Sequence, residues 1–296
     1  YGRAYQLMTA PANFFGQVLD KVLFPAMVKI QDRTERLSLA YRRGVSLIAL
    51  VILPVSAVCF ALAPELIHVM LGPQWKDVIL PFRILTVGMI LRTSYKMSDS
   101  MARATGSVYR RAWRQLIYAG MVAAGAWAGM AWGLPGVAAG VLVAITINFF
   151  LMAQLSMSLS GVTWGVILGA HGPALVLTTI LGAEAWLLET ALRVYKLRPL
   201  EFLAVTGFLL LCTALLLLRL APRLTLGEDG IWMMQTLSSY VPQRMSPVRL
   251  LNLERLAPRK HVAVPGAPAP FAAPPGRHRP EPAPTPSSAL KAGGRP

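Results

Sequence analysis

The first thirty residues form an apolar segment of membrane length that carries one polar stripe. At about 100° per residue, its polar side chains fall within an arc of roughly 100° of a helix. They are Arg3, Gln6, Asn13, Gln17 and Asp20. The rest of the surface is Leu, Val, Phe, Ala and Met. Polar groups in hydrocarbon are costly unless they are satisfied, so such a stripe must face protein or water. The segment predicts a helix that lines a water-filled path.

Apolar windows of membrane length recur along the chain. Of its 296 residues, 55% are hydrophobic, and a stretch of about 20 apolar residues spans the ~30 Å hydrocarbon core. Seven candidate spans follow: 6–28, 45–71, 80–101, 116–134, 136–158, 164–189 and 200–221. We therefore predict an all-α, polytopic transmembrane bundle. We expect five spans in 1–160, two additional ones in 161–222, and a largely disordered, Pro/Ala-rich cytoplasmic tail in 223–296.

The placement of Lys and Arg predicts the orientation. The net charge is +16, and the basic residues cluster in the loops at 29–44 and 103–115 and after the last span. The positive-inside rule places these loops and the C-terminus in the cytoplasm. The placement of basic residues in cytoplasmic loops thus accounts for the high positive net charge, and we predict no nucleic-acid partner. The chain would start outside without a signal segment before the first span, as expected of the later half of a longer protein.

A second polar stripe lies in the third predicted span. Arg92, Lys96, Asp99 and Arg103 are spaced so that they lie within ~60° of one another on a helix. Asp99 can pair with Lys96, with Arg103 or with both, which leaves Arg92 the least neutralised within its own helix. One interpretation is a set of internal salt bridges with snorkelling ends. The other is a cationic cavity wall for an anionic substrate.

The first stripe also has two interpretations. Pro11 removes a backbone hydrogen bond and is expected to kink the helix, as in transporters whose freed carbonyls face a cavity. Alternatively, Asn13 and Gln17 hydrogen-bond to neighbouring helices, and Arg3 lies at the membrane interface.

Other patterns predict structure rather than chemistry. Gly-Leu-Pro-Gly at 133–136 predicts a tight turn that makes spans four and five an antiparallel hairpin. Small residues four apart would let these helices pack closely, and they are Gly125, Gly129, Gly136 and Gly140. Glu184 and Glu189 are expected to form a solvated rim. An interfacial helix is predicted over 224–241.

No group of residues indicates catalysis or cofactor binding. None of the four His has a Cys, Asp or another His at metal-ligand spacing, and the sequence has no Gly-rich phosphate loop. We therefore predict no metal, no cofactor and no enzymatic activity.

Several short motifs resemble those of one membrane protein family. They are Tyr1-Gly2-Arg3-Ala4-Tyr5-Gln6-Leu7-Met8, Pro11, Phe15-Gly16, Val22-Leu23-Phe24-Pro25-Ala26, Ala63-Pro64-Glu65-Leu66, Leu71-Gly72-Pro73-Gln74-Trp75 and Arg103-Ala104-Thr105-Gly106. Over about 1–160 the chain is similar to the polysaccharide flippases. These form the Wzx-like, colanic-acid-type branch of the multidrug/oligosaccharidyl-lipid/polysaccharide exporter superfamily. The resemblance implies fourteen spans in two six-helix lobes plus two extra helices, with the spans here as the eighth to fourteenth.

The resemblance also implies a function. It implies translocation of polyprenyl-pyrophosphate-linked oligosaccharides across the bacterial inner membrane by alternating access, for exopolysaccharide, capsule or lipopolysaccharide biosynthesis. Arg3 matches an Arg in the cationic central cavity of the related lipid II flippase, whereas the residues alone suggest Arg92 and Lys96. We predict a substrate site formed by Arg3, Gln6, Asn13, Gln17, Arg92, Lys96 and Asp99.

The predicted partners are the lipid-linked glycan, membrane lipids and the polysaccharide polymerase or export machinery. Three alternatives remain open. The first is a drug or metabolite antiporter of the same superfamily. The second is a membrane enzyme acting on lipid-linked glycans, which would need a large external loop. The third is a non-transporting fragment or assembly partner.

Overall fold

The computed structural model describes residues 2–192, 194 and 198–238, and this part of the chain is helical without β-strands. The helices are α1 (Gly2–Val28), α2 (Thr34–Ala61), α3 (Ala63–Leu71), α4 (Ile79–Val87), α5 (Met89–Ala104), α6 (Val108–Gly129), α7 (Gly133–Ser160), α8 (Trp164–Leu192), α9 (Pro199–Leu220), α10 (Pro222–Thr225) and α11 (Gly227–Ser238). Short 3-10 segments cover Pro73–Val78 and Met130–Trp132. The predicted all-α bundle is confirmed.

A buried apolar core joins α2, α4, α5 and α7. Its fully buried side chains include Ile48 of α2, Leu85 of α4, Met97 of α5 and Ile145 of α7. Tyr41 of α2 is also buried, and its hydroxyl lies 3.0 Å from the hydroxyl of Ser98 on α5. Close packing of these side chains holds α5 against its neighbours with a fixed face inward. The other face of α5 carries the predicted polar stripe.

Two of the predicted spans are broken helices. The span predicted over 45–71 consists of α2 and α3, with a break at Leu62 just before Pro64. The span predicted over 80–101 is bent by 42° at Gly88, between α4 and α5. Proline has no N–H to continue the helical ladder, and at Gly88 the N–H bonds to the Leu85 carbonyl three residues back. Because hydropathy is averaged over a window of residues, such breaks do not interrupt the spans predicted from sequence.

Helices α6 and α7 form the predicted antiparallel hairpin. The chain reverses at Gly133, whose φ of 67° is a conformation that favours glycine. Leu134 and Pro135 already belong to α7, so the turn is shorter than predicted, because proline is tolerated in the first helical turn. A Cβ on Gly125 would lie 2.7 Å from the carbonyl oxygen of Gly140. The two backbones are therefore in direct contact, as the small residues predicted.

Four helical segments within the described residues are long and apolar enough to cross a membrane, and the bent α4–α5 pair makes a fifth. This count is lower than the seven spans predicted. Helix α1 does not qualify, because its polar stripe reduces its apolar content. Helices α6 and α7 count as one segment of 53 residues although the chain turns back between them. The chain is thus a multi-pass membrane protein.

The segment after the last span folds back onto the bundle. Helix α11 lies within the predicted interfacial helix and packs against α2. Nη2 of Arg42 donates to Oδ1 of Asp229 at 2.8 Å, and the Arg43 guanidinium lies 3.6 Å from the centre of the Trp232 ring. This helix lies in the first part of the tail predicted over 223–296, and the boundary of that tail stays a prediction. The chain divides into two units, Tyr1–Leu256 and Ala257–Pro296, and the predicted disorder beyond Ser238 lies outside the described residues.

Candidate functional site

Helix α1 lies against α5, and the two helices run in the same direction. In successive contacts the residue numbers increase along both helices together. The pairs are Tyr5 with Arg92, Asn13 with Lys96, and Phe24 with Arg103. Only a parallel arrangement produces this order. The predicted topology requires the same arrangement, because the first and third spans would both cross from outside to inside.

The two predicted polar stripes meet along this contact on the accessible face of the bundle. The α1 side chains of the stripe are exposed and those of α5 are half-buried, whereas Met97 and Met101 on the opposite side of α5 are fully buried. We call the combined set the polar band, and its members are Arg3, Gln6, Asn13, Gln17, Arg92, Lys96, Asp99 and Arg103. Hydrocarbon would leave these groups unsatisfied, so the band must face water or another protein surface.

The predicted residues of α1 differ in their contacts. Asn13 accepts a hydrogen bond from Nζ of Lys96 at 3.4 Å through its Oδ1 atom. Arg3, Gln6 and Gln17 form no side-chain hydrogen bond or ion pair within the described part of the chain. The helix continues through Pro11, while the side chain of Asp20 lies outside the described residues.

Asp99 forms ion pairs with two arginines. Its Oδ2 lies 3.2 Å from Nε of Arg103, and its Oδ1 accepts a hydrogen bond from Nε of Arg111. Arg103 is one of the partners expected from helical spacing. Arg111 was not expected, because it lies on α6 and periodicity within α5 carries no information about it. These pairs reduce the net positive charge at one end of the band, where one carboxylate faces two arginines.

Arg92 is a cation of the band with no carboxylate in ion-pair contact among the described residues. Among these residues no group hydrogen-bonds to its buried Nε, its guanidinium lies 5.0 Å from the centre of the Tyr5 ring, and Tyr118 of α6 lies nearby. An aromatic face stabilises a cation without neutralising it. Arg92 therefore keeps a full positive charge and a forked donor that suits the oxygens of a phosphate.

Three residues outside the predicted stripes were not identified from the sequence. Tyr5 lies off the polar arc of α1, and Tyr118 lies on α6, so neither belonged to a stripe. Arg83 of α4 was hidden within an apolar window, and its Nε donates to the carbonyl oxygen of Phe60 at 3.1 Å. A search for every basic residue inside the apolar windows would have found Arg83.

The expectation of a solvated acidic rim on α8 was wrong. Glu189 is only 8% exposed. Oε1 of Glu184 accepts a hydrogen bond from Oγ1 of Thr213 at 2.9 Å, and its Oε2 is buried without one among the described residues. Helix α9 covers this side of α8 in place of solvent. Glu184 lines an otherwise largely apolar groove of about 750 Å³ between the two helices.

The described residues contain no group of three or more His, Cys, Asp or Glu side chains that could hold a metal ion. The polar band is the candidate site because it brings the two predicted stripes together.

Comparison with known proteins supports the resemblance found in the sequence. Residues 1–80 match the model of a family described as polysaccharide biosynthesis protein. The lipopolysaccharide biosynthesis protein WzxC of Escherichia coli (strain K12) is 26% identical over 108 residues, which cover 36% of this chain and 22% of that protein. The chain therefore spans less than a quarter of the length of this curated relative. No solved structure shows a significant match.

The resemblance to the Wzx-like polysaccharide flippases is thereby confirmed. The matched 1–80 region contains all of α1 and its part of the polar band. It does not reach α5. The assignment of the chain to the C-terminal half of a transporter stays a prediction.

Proposed function

We propose that this chain is part of a transporter that moves polyprenyl-pyrophosphate-linked oligosaccharides across the bacterial inner membrane, with its C-terminus in the cytoplasm. The match to polysaccharide biosynthesis proteins and the similarity to WzxC support a polysaccharide precursor as the cargo. The observation that carries the proposal is the polar band, in which Arg92 lacks a carboxylate partner among the described residues.

In this mechanism the pyrophosphate binds to the band by charge and hydrogen bonding. Arg92 and Lys96 contact the phosphate oxygens, and Arg3 attracts the same group from the end of α1. Asn13 and Gln17 supply neutral hydrogen-bonding groups for the glycan, while the prenyl chain stays in lipid. No covalent bond is made or broken.

The band lies on an open face, so a complete path needs a second surface opposite it. The resemblance implies that this surface is the other lobe of a two-lobe transporter. Rocking of the two lobes would open the band to one side of the membrane and then to the other. Substrate release follows when water again competes for the phosphate.

The binding step can be tested on the chain itself. The purified chain in lipid nanodiscs is titrated with farnesyl pyrophosphate, with farnesol as the matched ligand that lacks the phosphates. A charge-assisted hydrogen bond contributes about 1.5–3 kcal/mol. Arg92→Ala is therefore expected to weaken pyrophosphate binding by roughly 10- to 100-fold. Arg219→Ala is the control, because Arg219 is exposed on α9 outside the band.

Wild-type affinity in Arg92→Ala would refute the proposed site. Equal binding of farnesol and farnesyl pyrophosphate would show that only the prenyl chain is recognised. Binding of tetraphenylphosphonium in place of the pyrophosphate would favour the antiporter alternative. In the producing bacterium, Arg3→Ala and Arg92→Ala are each expected to abolish polysaccharide export at normal protein levels in the membrane.

A further inference from the structure

We propose that Arg83 is a positioning residue that replaces the hydrogen-bond donor missing at Pro64 and so fixes the bend from which the cationic half of the polar band projects. Its meaning for substrate binding rests on the proposed function. Its structural part can be tested independently.

The missing donor follows from the sequence at the end of α2. In a continuous helix the N–H of residue 64 would bond to the carbonyl of Phe60, but proline has no N–H. The ladder instead stops with the N–H of Leu62 on the Val58 carbonyl at 2.9 Å and resumes with the N–H of Leu66 on the Leu62 carbonyl at 3.0 Å. The carbonyl of Phe60 is thus left for another donor, and the hydrocarbon core offers no water.

Arg83 on α4 supplies that donor. Its Nε lies 3.1 Å from the carbonyl oxygen of Phe60, and its Nη2 lies 3.5 Å from that of Ala61. Its guanidinium also lies 5.6 Å from the centre of the Phe60 ring. A cation at the C-terminal end of α2 interacts favourably with the helix dipole as well. Within the described residues Arg83 has no ion pair with a carboxylate, so these contacts account for its placement.

A second bond ties the same part of α2 to α4. Oγ of Ser56 donates to the carbonyl of Thr86 in the last turn of α4. Ser56 and Phe60 are one turn apart on α2, and Arg83 and Thr86 are one turn apart on α4. One turn of α2 is therefore fastened to one turn of α4 at two points.

This fastening sets the start of α5. Helix α4 ends at Val87, and the chain bends by 42° at Gly88. The N–H of Arg92 bonds to the Gly88 carbonyl at 2.9 Å, so Arg92 lies one turn beyond the bend. A change in the angle of α4 would shift Arg92 and Lys96 relative to α1.

The two breaks also lie at matching depth. Helices α3 and α4 are each 9 residues long and flank the Pro73–Val78 segment. Both breaks therefore lie roughly 13 Å along the helices from that segment. Irregular backbone at membrane depth is tolerated only where protein groups satisfy it, and Arg83 and Ser56 do so here.

A rescue experiment tests the donor replacement. Pro64→Ala restores a backbone N–H that can reach the Phe60 carbonyl. If Arg83 acts by replacing this donor, Pro64→Ala should rescue Arg83→Met. The full chain is compared in nanodiscs as wild type, Arg83→Met, Pro64→Ala and the double variant, with Arg83→Lys as the variant that keeps a charged donor.

Two readouts separate position from binding. The first is the maleimide labelling rate of a cysteine introduced by Lys96→Cys, in a protein whose Cys59 and Cys212 are replaced by alanine. The second is the affinity for farnesyl pyrophosphate in variants that keep Lys96. Arg83→Met is expected to change the labelling rate and to weaken binding by roughly 5- to 100-fold, the effect of leaving the lipid-facing Phe60 carbonyl without a donor. Pro64→Ala, Arg83→Lys and the double variant should stay within about threefold of wild type.

Each other outcome overturns a stated part of the reasoning. A double variant as impaired as Arg83→Met in both readouts refutes the donor replacement. Restored labelling with weak binding makes Arg83 a charge of the binding site rather than a positioning residue. If the wild type does not bind farnesyl pyrophosphate, the proposed function fails, and the labelling rates still decide the role of Arg83. If Arg83→Met does not accumulate in membranes, Pro64→Ala must restore its level, and failure to do so refutes the proposal.

Discussion

Replacing Asp99 with asparagine is expected to destabilise the bundle and, at the same time, to strengthen anion binding. Asp99 is 16% exposed and pairs with Arg103 and Arg111, whose side chains are 32% and 31% exposed. Solvent screens arginines of this exposure, so each pair contributes about 1 kcal/mol rather than the larger loss seen when a fully buried pair is broken. Loss of both pairs should lower the free energy of unfolding by roughly 2 kcal/mol. This corresponds to a Tm decrease of roughly 4–8 °C.

The decrease can be measured by thermal unfolding of the full chain in detergent micelles, followed by the fluorescence of its 7 tryptophans. Asp77→Asn is the matched control, because Asp77 is exposed in the 3-10 segment and forms no ion pair among the described residues. Binding should respond in the opposite direction. The band gains one net positive charge, and farnesyl pyrophosphate affinity should rise by about 2- to 10-fold at low salt.

The two measurements refute different parts of the reasoning. An unchanged Tm in Asp99→Asn would show that the paired arginines do not stabilise the contact between α5 and α6. A lower Tm with unchanged or weaker pyrophosphate binding would separate the charge of the band from anion recognition. A rise in affinity that persists at high salt would also contradict an electrostatic origin.

Two further variants test packing away from the band. Gly125→Val should lower the free energy of unfolding by about 1–3 kcal/mol, because its Cβ would lie 2.7 Å from the backbone oxygen of Gly140. Gly120→Val on the same helix, where a Cβ meets nothing within 4 Å, is the control, and equal Tm values would refute the close contact. Asp229→Asn should release α11 from α2 and raise the amide hydrogen exchange rate of α11 about fivefold. High salt should raise the exchange rate of α11 in the wild-type protein in the same way, because it screens the ion pair. Unchanged exchange over 227–238 would contradict this, with Asp77→Asn again as the control.

The helices and the content of the band could be predicted from sequence because both depend on spacing within one segment. Arg92 and Lys96 share a helix face whatever lies beside them, and the small residues around Gly133 predict a hairpin from local chemistry alone. The parallel direction of α1 and α5 followed from counting membrane crossings, but their contact did not. These predictions required no knowledge of tertiary packing.

The remaining features depend on which helices are neighbours. Asp99 accepts a hydrogen bond from Arg111 across an α5–α6 contact that periodicity does not reveal. The breaks before Pro64 and at Gly88 were visible as residue types, but the hydropathy of the surrounding windows concealed them. Glu184 was misplaced for the same reason, since only the packing of α9 shows that Thr213 donates a hydrogen bond to its carboxylate.

The parallel contact of α1 with α5 has a consequence for the biogenesis of the protein. Helix α1 is synthesised before α5, and 60 residues separate Val28 from Met89. At about 5–20 residues per second, α1 waits roughly 3–12 s for the helix that satisfies Asn13. During that interval its polar stripe cannot partition stably into lipid. We expect the insertion machinery to hold α1 in a protein-lined or wet environment and to release it together with α5, so that these helices enter the bilayer as a pair rather than in chain order.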